Sequence, residues 1–363
     1  MPTNQVPPAP LRTTEISRLP AYRAADPPAK HADGLLDLAN NELTLPPLPA
    51  VVESLRLSAR SVHLYPDPTA RTLRQAVARH FATDPEEIVV GPGSGAVLHQ
   101  LLLALCGPGD EVLYPWPGFD AYPFLITTAG AQGTPVPLTP SGEHDLSAFA
   151  AKVDTRTRIV VLCSPHNPTG RRIPRTELAA FLGSLPPHVV TVLDQAYVEF
   201  DEHEETHNLD LLRTAPRLVL LRTFSKAYGL AGLRAGYALA APDLAGLAYK
   251  TLLPFSVTRT AEHAAQVSLE QHGQLAARLD TVRRGRSLLS AGLRAEGLDP
   301  LPSFGNFLWL PLGAATERFA QVTLAAGVRV RAYPGAGVRI TVGGDEAHRR
   351  VLDAARLFRT ADT

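Results

Sequence analysis

Only two cysteines, Cys106 and Cys163, occur in the chain. Each lies in an apolar run, so both read as buried free thiols in a reducing compartment, not as halves of a disulfide framework. Cysteine and histidine show no metal-ligand spacing, and no metal site is expected. A net charge is lacking too, because 35 Lys+Arg are balanced by 35 Asp+Glu. That leaves no global electrostatic case for binding nucleic acid or an acidic membrane surface. Long apolar runs are missing: the longest, near residues 101–106, is far too short to span a bilayer. The first ten residues lack the basic-then-apolar pattern of a secretory signal. These absences predict a soluble cytoplasmic protein whose partners are small molecules. Internal repeats are also absent.

What the chain does have is length and apolar content. At 363 residues with 45% hydrophobic side chains, it can bury a large core and exceeds the usual limit of a single one. The N-terminal stretch, with Pro2, Pro7, Pro8, Pro10, Pro20 and Pro27, disfavours regular structure. From about Glu86, short β-branched runs alternate with helical patterns. Strands are expected at 88–90, 111–114, 158–163, 189–194 and 218–222. Most are continuous apolar runs that end in polar residues, as suits a parallel sheet buried on both faces. Ligands in such sheets bind beyond the carboxyl ends of the strands. Helical patterns dominate 261–297, and a small α/β unit follows with strands near 307–310 and 338–342. Residues 201–207 read as an acidic surface loop. The expected division is an N-terminal segment over 1–46 that joins the small domain, a large domain over 47–250 and a small domain over 251–363.

Residue chemistry concentrates at the strand ends. Lys226 lies in a small, neutral setting, Thr223-Phe224-Ser225-Lys226-Ala227-Tyr228-Gly229, where desolvation favours the free amine that attacks carbonyls. Arg234, eight residues on, supplies a fixed positive charge suited to an anionic ligand. Gly91-Pro92-Gly93-Ser94-Gly95-Ala96 follows a strand and opens a helix, so its backbone N–H groups can receive a phosphate. The same spacing fits a dinucleotide fingerprint, although the expected acidic residue at the end of the second strand is missing. In Ser164-Pro165-His166-Asn167-Pro168-Thr169-Gly170, Pro168 biases Asn167 away from helix and holds its amide at the sheet edge. Asp194 ends a strand, where it could equally cap a helix. Arg339 offers two parallel donors to a planar anion.

Taken together, these segments resemble the pyridoxal-phosphate (PLP) aminotransferases of class I/II, fold type I. Within that family the histidinol-phosphate aminotransferase branch is nearest, and the match runs from about Leu19 to Arg350. The resemblance implies an α/β fold with a mostly parallel central sheet flanked by helices and a smaller C-terminal α/β domain. It implies PLP held as a Schiff base by Lys226, with Asp194 beside the pyridine nitrogen and Asn167 and Tyr197 on the phenolic oxygen. Phe119 would stack on the ring, and Ser94, Gly95, Thr223, Ser225 and Arg234 would hold the phosphate. Tyr65, in Tyr65-Pro66-Asp67-Pro68, would reach the phosphate in a neighbouring subunit, so that a homodimer shares its active sites. Lys226, Asp194 and Tyr197 would be catalytic. On the substrate side it implies Arg339 for the carboxylate, Arg331 for a second anionic group, and Tyr22 and Asn41 as further contacts. Departures from the family form are Gly95-Ala96 in place of Asp-Glu, Gln195 in the Asp-Glu-Ala-Tyr motif, and Leu43-Thr44-Leu45-Pro46 without its usual glycine. The segments 114–122 and 93–96 resemble a subgroup active on aromatic amino acids.

The activity so implied is ping-pong transamination, with histidinol phosphate or an aromatic amino acid as donor and 2-oxoglutarate as acceptor. Two alternatives remain open at this level. One is a PLP decarboxylase of the same fold, like threonine-phosphate decarboxylase. The other is a non-catalytic PLP-fold binding protein.

Overall fold

The structure is a computed structural model that describes residues 34–203 and 208–360. In chain order the elements are β1 (Leu36–Asp37), α1 (Pro49–Ser58), α2 (Arg71–Phe81), β2 (Ile88–Gly91), α3 (Ser94–Leu105), β3 (Glu111–Trp116), α4 (Ala121–Thr128), β4 (Gln132–Pro137), α5 (Leu146–Lys152), β5 (Thr157–Cys163), α6 (Arg175–Ser184), β6 (Val190–Asp194), α7 (Leu211–Thr214) and β7 (Leu218–Thr223). After them come β8 (Gly236–Ala240), α8 (Pro242–Tyr249), α9 (Arg259–Glu270), α10 (His272–Ala295), β9 (Phe307–Leu310), α11 (Thr316–Ala325), β10 (Val328–Arg329), β11 (Arg331–Tyr333), β12 (Gly337–Thr341) and α12 (Asp345–Thr360).

A seven-stranded sheet in the order β2-β8-β7-β6-β5-β3-β4 forms the centre. Its strands run parallel except β8, which is antiparallel to both β2 and β7. Strands β5, β6 and β7 carry the Val/Leu/Ile runs read from the sequence, and nearly all their residues are buried. Helices cover both faces. One core packs Val160, Leu162, Leu193, Leu220 and Phe224 against α2, α6 and α9, and the other packs Val161, Val192, Val219 and Leu221 against α3, α4 and α8. This double burial is why the central strands lack polar alternation.

Strand β4, with Pro135 and Pro137, was not expected from the sequence. It lies at the sheet edge, where one side of the backbone needs no ladder partner and proline is tolerated. The small unit is an antiparallel sheet, β11-β12-β9, over α11 and α12, with its own core of Leu308, Leu310, Phe319, Ile340 and Phe358. The parallel pair β1-β10 ties the segment near residue 36 to this unit. Among the described residues, no helix is long and apolar enough to cross a membrane.

Candidate active site

Strands β5, β6 and β7 end at Cys163, Asp194 and Thr223, and all three residues line one cavity of about 490 Å³. The cavity thus opens beyond the carboxyl ends of the parallel strands. Its other walls are the start of α3 (Ser94, Gly95), the loop before α4 (Phe119, Asp120), the segment Ala39, Asn40 and Glu42, and Arg331 and Arg339 from the small sheet.

Lys226 sits in the loop that turns β7 back into antiparallel β8. Phe224 anchors that loop from the core, donating its N–H to Ala235 O at 3.1 Å and accepting from Leu230 N at 3.0 Å. Gly229, at φ 71°, donates to Lys226 O and closes the turn. The lysine amine donates to two backbone carbonyls, Asn40 O at 3.0 Å and Asn41 O at 3.1 Å. Neither carries a charge. Desolvation first, then the positive charges of Arg339 and Arg234, push the Lys226 pKa down to about 7, against the opposing pull of Glu42 and Asp194.

Asp194 is buried. It accepts from the Tyr122 hydroxyl at 2.7 Å and from Ala196 N at 3.0 Å. Burial nevertheless raises its pKa above the usual carboxylate value. Among the described residues no arginine or lysine forms an ion pair with it, and the positive charge of Lys226 acts on it only from a distance. Burial likewise raises the Tyr197 hydroxyl, which accepts from Asn41 Nδ2 at 3.0 Å. Asn167 is held at the cavity by its loop, in which His166 N bonds Arg171 O at 2.6 Å and Gly170 N bonds His166 O at 2.7 Å. Its Oδ1 accepts from Arg339 Nη1.

The α3 N-terminus, Arg234 and the loop after β7 form a close cradle. Gly93 has φ 96°, and a Cβ there would collide with the Arg234 guanidinium. A Cβ on Gly236 would collide with Ser94 N. First-turn N–H groups have no intrahelical partner, and α3 presents its own beside an arginine that, among the described residues, bonds Ser225 Oγ (3.2 Å) and Ala231 O (2.9 Å). Thr223 Oγ1 accepts from Ser225 N at 3.1 Å and donates to Ser225 Oγ at 3.0 Å, which orients both hydroxyls. Phe119 flanks the cavity, edge-on to Tyr122 with ring centroids 5.4 Å apart.

Among the described residues, Arg339, buried on β12, bonds neutral acceptors, namely Asn167 Oδ1, Ala39 O and the Tyr333 hydroxyl, and its Nε has no hydrogen-bond partner. A buried guanidinium with a spare donor and no carboxylate is a ready receptor for one.

Not every expected residue arrives as read. Asn41 is fully buried (0% exposed) and does not line the cavity. It is committed to the protein: N bonds Thr341 Oγ1 at 3.0 Å, Oδ1 accepts from Thr341 Oγ1 at 3.1 Å, and O accepts from Asn306 Nδ2 at 3.2 Å. In this structure Asn41 braces the cavity wall from behind. Arg331 reaches the cavity, but paired with Asp120. Tyr65 is 81% exposed, lies outside the cavity of its own chain and packs on Phe255 at 5.1 Å. Tyr22 lies outside the described residues. Asp120, Tyr122 and Glu42 were not expected at the site from the sequence, and Cys163 was expected only as a buried thiol. Asp120 and Tyr122 stand inside the segment 114–122, but their roles depend on partners far along the chain.

The group that fits this set has an anionic end for the α3 cradle, a cationic ring atom for Asp194 and a carbonyl for the Lys226 amine. Pyridoxal phosphate has all three. Comparison with known proteins agrees. Residues 33–354 match the family "Aminotransferase class I and II". An aromatic amino acid aminotransferase from Nocardia farcinica is 43% identical over 333 residues, covering 91% of this chain and 92% of that protein. One from Streptomyces coelicolor is 40% identical over 352 residues, covering 97% and 98%. Among solved structures, histidinol-phosphate aminotransferase from Sinorhizobium meliloti in complex with pyridoxal-5'-phosphate superposes with a TM-score of 0.88 at 27% identity, covering 98% of this chain and 100% of that one. The chain belongs to the class I and II aminotransferases, and is a PLP-dependent transaminase of fold type I.

Proposed function

We propose that this transaminase takes its amino group from an aromatic amino acid and delivers it to 2-oxoglutarate in a ping-pong sequence. The observation that carries the reading is the pairing of a near-neutral amine, Lys226, with a carboxylate-seeking guanidinium, Arg339, in one cavity. The names of the curated relatives support the aromatic donor over histidinol phosphate. Pyridoxal phosphate, when bound, supplies the carbonyl and the electron-withdrawing ring that amino-group exchange requires.

The chain's own residues divide the remaining work. Lys226 would hold the cofactor, and its amine would take up and return the proton at the substrate Cα. Asp194, oriented by Tyr122, would hold a ring nitrogen in its protonated form. Asn167 and Tyr197 would hold the phenolic oxygen, Phe119 would flank the ring, and Ser94, Gly95, Thr223, Ser225 and Arg234 would hold the phosphate. Arg339 would orient the substrate by its carboxylate.

The same proposal includes a homodimer in a reducing, cytoplasmic setting. The support for the dimer is the exposed apolar group of Val62, Leu64, Tyr65 and Phe255 around one surface groove, which leaves Tyr65 free to enter a second subunit's site.

The deciding experiment mixes the PLP form of the enzyme with phenylalanine, tyrosine, histidinol phosphate, glutamate and threonine phosphate. Absorbance and product masses are then followed. Phenylalanine and tyrosine should yield their 2-oxo acids and the pyridoxamine form. Release of carbon dioxide without the pyridoxamine form would replace this reading with a decarboxylase. Lys226→Ala should abolish turnover, and unchanged turnover in that variant would overturn the role of Lys226.

A further inference from the structure

Two pieces of chain meet at the Lys226 amine: its own loop, and the segment over residues 39–46, which supplies Asn40 O and Asn41 O. Among the described residues no backbone hydrogen bond joins the two. Arg278 joins them. From its place on α10 it donates through Nη1 to Tyr228 O at 3.2 Å and through Nη2 to Pro46 O. Resting on the transaminase reading above, we propose that Arg278 is a positioning residue of the active site. It clamps the segment over 39–46 to the lysine loop, and the clamp holds Ala39 where Arg339 needs it to grip the donor carboxylate.

The upstream end of the segment is tied to the small unit. Leu38 donates to Arg329 O at 2.8 Å, Thr341 donates to Leu38 O at 3.0 Å, and Asn41 bonds Thr341 and Asn306. Downstream the segment has little of its own. Leu45 is followed by Pro46 and Pro47, neither of which has an N–H to give. Among the described residues, the bond from Arg278 is the one hydrogen bond made by residues 42–47. A guanidinium suits such a bridge, because its planar fork offers donors in fixed directions to two acceptors at once. Gly229 permits the approach, since a Cβ there would stand 3.0 Å from Arg278 Nη1.

Arg278 is 7% exposed and does not line the cavity. Its partners among the described residues are neutral carbonyls. Burying a cation among neutral groups costs stability that an apolar side chain at that helix position would not. Stability alone therefore gives no reason for an arginine here, whereas the site gives one. Ala39 and Asn40 line the cavity, and Ala39 O accepts from Nη2 of Arg339. A slack segment would let that carbonyl drift and leave Arg339 less well aimed. The loss should then fall on donor binding more than on proton transfer by Lys226.

The test reads hydrogen exchange across the cofactor-loaded enzyme, together with its kinetics on phenylalanine at saturating 2-oxoglutarate. Arg278→Met keeps a long side chain and removes both donors. Exchange should quicken about tenfold over residues 38–45 and little elsewhere. KM for phenylalanine should rise about tenfold while kcat stays within about threefold of wild type. Arg278→Lys keeps the cation but offers a single point donor in place of the fork, so it should fall between Met and wild type. Either variant, folded and with cofactor bound, overturns the clamp if exchange over 38–45 and KM both stay within about twofold of wild type. A rise in exchange spread evenly over the protein, with KM unchanged, marks a merely structural contact and overturns it too. If Arg278→Met does not fold, Arg278→Lys decides by the same criteria. Should wild type convert no phenylalanine, the donor reading falls by itself, and exchange over 38–45 still decides the clamp.

Discussion

Lys226 illustrates how a reactive group is made from an ordinary one. Its amine is held by two backbone carbonyls and flanked by two arginines, and its pKa falls from the usual lysine value to about 7. The sign of the linkage follows. In the unfolded chain the amine stays protonated up to about pH 10.4, whereas the folded amine has already lost its proton above about 7. The cost of holding the cation in the fold is therefore fully present below about pH 7 and fades as pH rises toward the unfolded value. Lys226→Met in the cofactor-free protein should raise the melting temperature. The gain over wild type should be largest at or below pH 7 and shrink toward pH 10, as paired thermal melts would show. A pH-independent gain would mean that packing, not ionisation, is responsible. At this scale the sequence was informative wherever a residue's environment is local, as with the small neutral neighbours of Lys226. It could not show that the charges of Arg339 and Glu42 act on the amine from distant segments.

At the scale of elements, the phosphate cradle depends on how closely β8 lies against the start of α3. Gly236 permits that approach, since any Cβ there would meet Ser94 N. Gly236→Ala forces the helix start away from the strand. A destabilisation of about 1–3 kcal/mol is expected for such overpacking, together with weaker cofactor binding, read by chemical denaturation and by fluorescence titration of PLP. The N-terminal segment makes a second device. Asn41 adopts φ 55° and bonds Tyr197, Thr341 and Asn306, so one residue braces the cavity wall against both sheets. Asn41→Ala loses the side-chain bonds to Tyr197 and Thr341 and puts a less suitable residue in the left-handed region. It should lower both the melting temperature and kcat. The central strands and the helices over 261–297 were legible because their periodicity is strong. Strand β4 was not, because its prolines argue against strand except at an edge, and edges are defined only by the assembled sheet.

For the whole molecule, the proposed dimer makes a quantitative claim. If Tyr65 acts in the neighbouring site, mixing inactive Lys226→Ala protomers with impaired Tyr65→Ala protomers creates one intact site per mixed dimer. Random exchange makes half of the dimers mixed, so activity should recover to about a quarter of wild type. Absence of recovery, with exchange verified by mass, would place Tyr65 outside the shared site. Cofactor should also raise the melting temperature in a concentration-dependent way, because it binds only the folded cavity.

The sequence by itself determined the cofactor chemistry and the architecture that carries it. Lys226, Asp194, Asn167 and Arg234 each stand in short motifs whose local geometry already limits what they can do, and buried parallel strands announce themselves as unbroken apolar runs. The tertiary structure decided the balance of charge. It set Asp120 against Arg331, gave Arg339 neutral partners among the described residues and buried Asn41 behind the cavity wall. The physical reason is range: turn and strand preferences act between neighbours in sequence, whereas an ion pair is made by whichever groups the fold brings within a few ångströms.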